Sequence, residues 1–143
     1  MRMEQLLEIK NQCVIRKLDS LSQPRGEMIE ISSLNSKRLY MITITQNSFR
    51  GNHYHYQQIE EFYVNRGKVI FLLCLGSPNR TDKTIFFTIL KERETIRIKP
   101  YIVHTLVNDF IHNNCNQESE VFVTSTQEYV PNCAVDTEYV NIL

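Results

Sequence analysis

Residues 60–75 read EEFYVNRGKVIFLLCL, and this stretch decides the fold class. Glu61–Asn65 is rich in aromatic and β-branched side chains, Asn65-Arg66-Gly67 is turn chemistry, and the following run to Leu75 is continuously apolar. A short apolar run bounded by a turn signal reads as a strand covered on both faces. Working outward, segments of the same kind recur at Met28–Ser32, Arg38–Thr45, Lys68–Leu75, Thr84–Leu90, Thr95–Lys99, Val103–Val107 and Glu120–Thr126. In TIRIK, Ile96 and Ile98 share one face while Thr95, Arg97 and Lys99 share the other, the two-residue period of a half-buried strand. Gly76-Ser77-Pro78-Asn79 supplies a second turn. Eight such segments with little room for helices predict an all-β sandwich or barrel. The first dozen residues, with Leu6, Leu7 and Ile9, read as a short helix or a leading strand, and Asp109–Glu118 as a polar loop.

The chain has 143 residues and no repeat or linker composition, which predicts a single domain over 1–143 with residues 1–14 as an N-terminal extension. Sixteen basic residues balance 16 acidic ones, so the basic stripe that nucleic acid requires is missing. No run of eighteen apolar residues exists, so no membrane span by a helix is expected. The opening MRMEQLLEIKNQ has charges within its only apolar stretch and no small-residue cleavage site, unlike a secretory signal. Cys13, Cys74, Cys115 and Cys133 form no CxxC pair. Reduced thiols and a cytoplasmic location are the expectation.

Chemistry concentrates in RGNHYHYQQIEEFYVNRG, residues 50–67. On an extended strand His53 and His55 project from one face, whereas Tyr54 points away. Glu60 follows, and KPYIVHTLVN brings His104 and Asn108 further along. Three imidazoles and a carboxylate suit a divalent cation, Zn²⁺ first, with Fe²⁺, Mn²⁺, Ni²⁺ or Co²⁺ as alternatives. A lone HxH pair is more often decoration than a metal site; Glu60, Gly67 and the later His104 shift that balance. His112, in a polar loop, reads as a solvated residue.

The spacing HxH-x4-E-x6-G, followed by a Pro–His–Asn element, resembles the two motifs of the cupin superfamily. That resemblance implies a double-stranded β-helix, or jelly-roll, barrel with ligands at its mouth. RGNHYH, EEFYV and GKV are most similar to the C-terminal cupin domain of capsular-polysaccharide epimerase/reductases acting on UDP-4-keto sugars. The upstream DSLSQPRGEMIEI and the tail EYVPNCAVDTEYVNIL, with its Asp-Thr-aromatic element, extend the likeness from about residue 15 to the end. In the second motif, Tyr101 stands where cupins usually carry glycine. RGNHYH also resembles dTDP-4-dehydrorhamnose 3,5-epimerases, in which the histidine matching His53 is the base and the arginine matching Arg50 lines the pocket. Metal-free 3,4-ketoisomerases share an Arg-Gly-x-His-x-His element, so a metal-free site is also open.

The resemblance implies a nucleotide-sugar epimerase or ketoisomerase that removes a proton next to a 4-ketone in glycan precursor synthesis. It places His53, His55 and Arg50 in catalysis, His53, His55, Glu60 and His104 around a cation, and Arg50, Tyr63, Tyr101 and Asn108 against a nucleotide-diphosphate sugar. Tyr139 and the other tyrosines read as packing aromatics first and acids second. A homodimer is expected, with the N-terminal segment exchanged between subunits, and a separate reductase or aminotransferase of the same pathway as a partner. The alternatives are a non-catalytic sugar-binding cupin supporting a reductase and an iron-dependent dioxygenase.

Overall fold

The computed structural model describes residues 8–46, 48–76, 84–109, 117–128 and 136–140. Twelve strands are described: β1 Cys13–Lys17, β2 Leu21–Gln23, β3 Gly26–Met28, β4 Arg38–Ile44, β5 Phe49–His55, β6 Glu60–Arg66, β7 Val69–Leu75, β8 Phe86–Leu90, β9 Glu94–Ile98, β10 Ile102–Asn108, β11 Ser119–Ser125 and β12 Thr137–Tyr139. They form two five-stranded antiparallel sheets, β1-β9-β6-β11-β4 and β12-β5-β10-β7-β8, with a β2-β3 ribbon beside them. This is the all-β double-sheet architecture that the strand pattern predicts, in the jelly-roll form that the resemblance implies.

The core lies between the sheets because alternating side chains of both turn inward. Phe62 and Val64 of β6, Val69 and Phe71 of β7, Ile96 and Ile98 of β9, Leu106 of β10, and Val121 and Val123 of β11 form one buried cluster. Burying a side chain of this size stabilises the fold by about 1.5–3 kcal/mol. The β6–β7 turn works as read: Gly67 has φ +79°, a left-handed conformation that glycine enters without cost. Its amide donates to the Glu92 carboxylate at 3.1 Å, which ties this turn to the one before β9.

One expectation is corrected, and the choice left open at the N-terminus is resolved. The segment Met28–Ser32 is a strand only at its start: β3 ends at Met28, and residues 29–33 carry no strand. The Ser32 hydroxyl accepts from the Leu34 amide at 3.1 Å and meets the Thr124 hydroxyl at 3.2 Å. Such local side-chain bonds compete with a ladder. At the N-terminus helix and strand are not alternatives but successive: residues 8–12 are helical and lead into β1. The sheet therefore begins inside the stretch expected as an extension, with Ile9 buried in the core and Cys13 and Val14 paired with Ile98 and Arg97. Most of the expected loop 109–118, with His112 and Cys115, lies outside the described residues, as does Cys133.

Candidate metal and substrate site

β5 runs as an extended strand, yet it is bent where the site needs it. Gly51 and Asn52 both have positive φ, +90° and +62°, and the pairing of β5 with β10 slips between His104 and Thr105. A Cβ on Gly51 would stand 2.5 Å from the carbonyl oxygen of His104, so only glycine fits this approach. The bulge sets His104 directly across from His53. Period-two alternation then puts His53 and His55 inward and Tyr54 outward, where Tyr54 is buried with Cys74 and Val103. Glu60 opens β6, beside the same mouth.

Ligand atoms of His53, His55, Glu60 and His104 all lie within 4.8 Å of one another. His55, Glu60 and His104 are buried, and His53 is half-buried. Glu60 Oε1 is 2.6 Å from His55 Nε2 and 3.4 Å from His104 Nε2, while the Tyr40 hydroxyl donates to Oε2 at 2.7 Å. Burial alone would raise the pKa of Glu60, but its polar contacts with His104 and His55 outweigh that and hold it well below the ordinary value. His53 moves the other way from a histidine's usual value, down to about 3, first through burial and then through repulsion from His104 and His55.

These residues fit a cation on the chemistry of their own atoms. His104 Nδ1 faces the Ile102 carbonyl at 3.0 Å, and a carbonyl only accepts, so Nδ1 carries the proton. The Nε2 lone pair therefore points at a carboxylate with no hydrogen-bond partner of its own. His53 Nδ1 is also buried and unpartnered. Buried lone pairs facing a carboxylate need a positive charge between them, whether a proton or a metal ion.

Two cavities meet at this cluster. The larger, of about 700 Å³, is lined on one side by Arg38, Gln57 and Gln58 and on the other by Gln127, Asp136 and Thr137. The smaller, of about 270 Å³, runs inward past Arg50 and Gly51 to Ile42, Phe62 and Leu106. Tyr40, His53, Glu60 and Tyr139 line both. Arg38 stacks its guanidinium 4.1 Å from the centre of the Tyr40 ring, and Tyr139 packs edge-on to His53 at 5.4 Å.

Of the residues expected to touch substrate, Arg50 lines a cavity, but three others do not. Tyr63 follows Phe62 on β6 and so points out of the barrel, where its ring stacks on Phe122. Asn108 is buried with its amide donating to the carbonyls of Ile44 and Gln117 at 2.8 and 3.0 Å, a brace rather than a wall. Tyr101 stacks on Tyr54 away from the cluster. Its φ of +66° shows why its place usually suits glycine: the backbone here is left-handed, and tyrosine adopts the same shape at a cost of about 1–2 kcal/mol. Tyr40, Gln58, Asp136 and Thr137 escaped sequence reading. Alternation along β4, with Tyr40, Ile42 and Ile44 on one face, was the available signal for the first.

A jelly roll with three imidazoles and a carboxylate at its mouth defines a cupin-type barrel. The chain belongs to the polysaccharide biosynthesis C-terminal domain family, whose model matches residues 21–133. Comparison with curated proteins gives no match. Among solved structures, it is similar to a point mutant of the 3,4-ketoisomerase QdtA from Thermoanaerobacterium thermosaccharolyticum bound to TDP-4-keto-6-deoxyglucose, at 16% identity and TM-score 0.67, covering 89% of this chain and 86% of that one. It is also similar to the 4-keto-6-deoxy sugar epimerase NovW from Streptomyces spheroides, at 14% identity and TM-score 0.69, covering 90% and 69%. The dTDP-4-dehydrorhamnose 3,5-epimerase from Sulfolobus tokodaii matches at 17% identity and TM-score 0.69, covering 90% and 77%. At these identities the likeness establishes the shared fold.

Proposed function

We propose that this protein is a nucleotide-sugar epimerase or ketoisomerase acting next to the ketone of a 4-keto sugar. The observation that carries the reading is the cluster of His53, His55, Glu60 and His104 at the junction of two cavities. Family membership and the activities printed for QdtA and NovW support it. Hydrogens beside the carbonyl are the acidic ones, and their removal needs a base and a positive group near the carbonyl oxygen.

The four clustered residues would hold a divalent cation, with zinc the best match to three imidazoles and a carboxylate. Such a cation supplies Lewis acidity to a carbonyl oxygen. Arg50 sits on the wall of the inner cavity and offers a cation to a phosphate or an oxyanion. His53 is neutral at physiological pH with Nδ1 unpartnered; bound to the cation it is a ligand and not a free base, so the base role falls to it only in a metal-free site. Ile42, Phe62 and Leu106 give the smaller cavity an apolar floor against which a sugar ring could pack.

One observation favours a second reading, a sugar-binding barrel without turnover. A base with a pKa of about 3 is far from the operating pH, where proton abstraction is most efficient. Incubation with UDP- and TDP-4-keto-6-deoxy sugars in deuterated water separates the two. Deuterium at C3 or C5 supports the enzyme; binding by calorimetry with no deuterium incorporation supports the binding module. Elemental analysis of the same protein beside His55→Ala tests the cation, and equal metal content in both overturns the ligand assignment.

A further inference from the structure

The Asp-Thr-aromatic element near the end of the chain is not used by the reading above, yet it lies against the site. β12 pairs with β5 so that Thr137 stands opposite His55 and Tyr139 opposite His53. His55 Nδ1 is surrounded by three groups: the Thr137 hydroxyl at 3.0 Å, the Gln58 side-chain nitrogen at 3.1 Å and the Asp136 carbonyl at 3.2 Å. Asp136 is itself fixed. Its carboxylate accepts from the Gln58 amide at 2.9 Å, and its carbonyl accepts from the Tyr56 amide at 3.2 Å.

We infer that Thr137 is the positioning residue of the candidate metal site, setting the ring of His55 so that Nε2 faces the cation. The inference rests on the proposed metal reading. Its chemistry follows from what each neighbour can do. The Asp136 carbonyl can only accept and the Gln58 amide nitrogen can only donate, whereas a hydroxyl does either. When Nε2 carries its hydrogen toward Glu60, Thr137 can donate to the bare Nδ1. When Nε2 is bare and available as a ligand, Nδ1 carries the hydrogen and Thr137 accepts it. Gln58 can serve only the bare nitrogen and the Asp136 carbonyl only the protonated one, whereas the Thr137 hydroxyl, the nearest of the three, serves both forms and so holds the ring in either.

The test uses the full chain, stripped of metal, with Zn²⁺ titrated in competition with a chromophoric chelator. Loss of an outer partner of a metal-ligating histidine typically costs about 10- to 100-fold in affinity. Thr137→Val is expected to weaken zinc binding by about 10-fold, the lower end of that range because the Asp136 carbonyl still faces Nδ1, and Thr137→Ser, which keeps the hydroxyl, to restore it. The metal-free melting temperature of Thr137→Val should change by no more than about 4 °C. Should that variant fail to fold, Thr137→Ala removes the same hydroxyl and is read in the same way. If Thr137→Val binds zinc like the wild type while His55→Ala does not, the positioning role is overturned and the metal reading stands. If the wild type takes up no zinc, or His55→Ala binds it equally well, the metal reading fails and the positioning role with it.

Discussion

Glu60 Oε1 and His55 Nε2 approach to 2.6 Å in a pair shielded from solvent, with the Tyr40 hydroxyl on the other carboxylate oxygen at 2.7 Å. A carboxylate so placed ties β6, β5 and β4 together through its two oxygens. Glu60→Gln keeps the shape but removes the charge that opposes the imidazoles. Zinc affinity should fall by at least about 100-fold, the upper end of what losing even an outer partner costs. Equal affinity for Glu60→Gln and wild type in the chelator titration would remove Glu60 from the ligand set.

Acid should destabilise the metal-free protein through two groups with the same sign. His53 titrates near 3 when folded but near 6.5 when unfolded, so between those values the unfolded chain binds the extra proton and stability falls as pH drops. Glu60 is depressed in the folded state, so its contribution is present above about pH 4.5 and is lost as pH falls below it. Of these two groups His53 is the one that acts between pH 6.5 and 5, at a cost of about 1–2 kcal/mol. Urea unfolding in the presence of a chelator should show this slope, and His53→Gln should flatten it over that interval. A slope unchanged in His53→Gln would assign it to another group.

Gly51→Ala puts a methyl group against backbone rather than against a movable side chain. The clash is with the His104 carbonyl oxygen at 2.5 Å, and φ at +90° is closed to alanine. Left-handed strain and overpacking together should cost about 2–5 kcal/mol. Because the same clash pushes on His104, zinc affinity should drop in whatever fraction folds. A variant with wild-type urea midpoint and wild-type zinc affinity would show that β5 and β10 can part here without consequence.

The parts of the fold and site that were legible in the sequence are those carried by period and spacing. Alternation in His53-Tyr54-His55 sorted two inward imidazoles from one outward phenol, and the apolar run of β7 identified an inner strand. The alternation that turns Phe62 toward His104 turns Tyr63 toward Phe122. The two are adjacent, so only one can face the cavity, and the motif's proximity outweighed its parity in the reading. Thr137 and Asp136 were not legible because their role depends on β12 meeting β5 across some eighty residues of chain, at 3.0 and 3.2 Å from His55. The bend at Gly51–Asn52 has a glycine as its sequence mark, but nothing local states that its partner is the backbone of His104.

Tyr101 offers a test in which two effects nearly cancel. Replacing it with glycine relieves about 1–2 kcal/mol of left-handed strain, since its φ is +66°. The same change removes a ring that stacks on Tyr54 at 5.8 Å, an aromatic contact worth about 0.5–1.5 kcal/mol. The net change in the urea midpoint should therefore lie between about 0.5 kcal/mol destabilising and about 1.5 kcal/mol stabilising. Tyr101 is not among the residues lining either cavity at the metal cluster, so zinc affinity and sugar-nucleotide binding should be unchanged. Tyr63→Phe should behave likewise, because its ring faces Phe122 outside the barrel. A fall of tenfold or so in ligand affinity for either variant, about 1.4 kcal/mol, would return that tyrosine to the substrate wall and show that the ligand reaches beyond the two cavities.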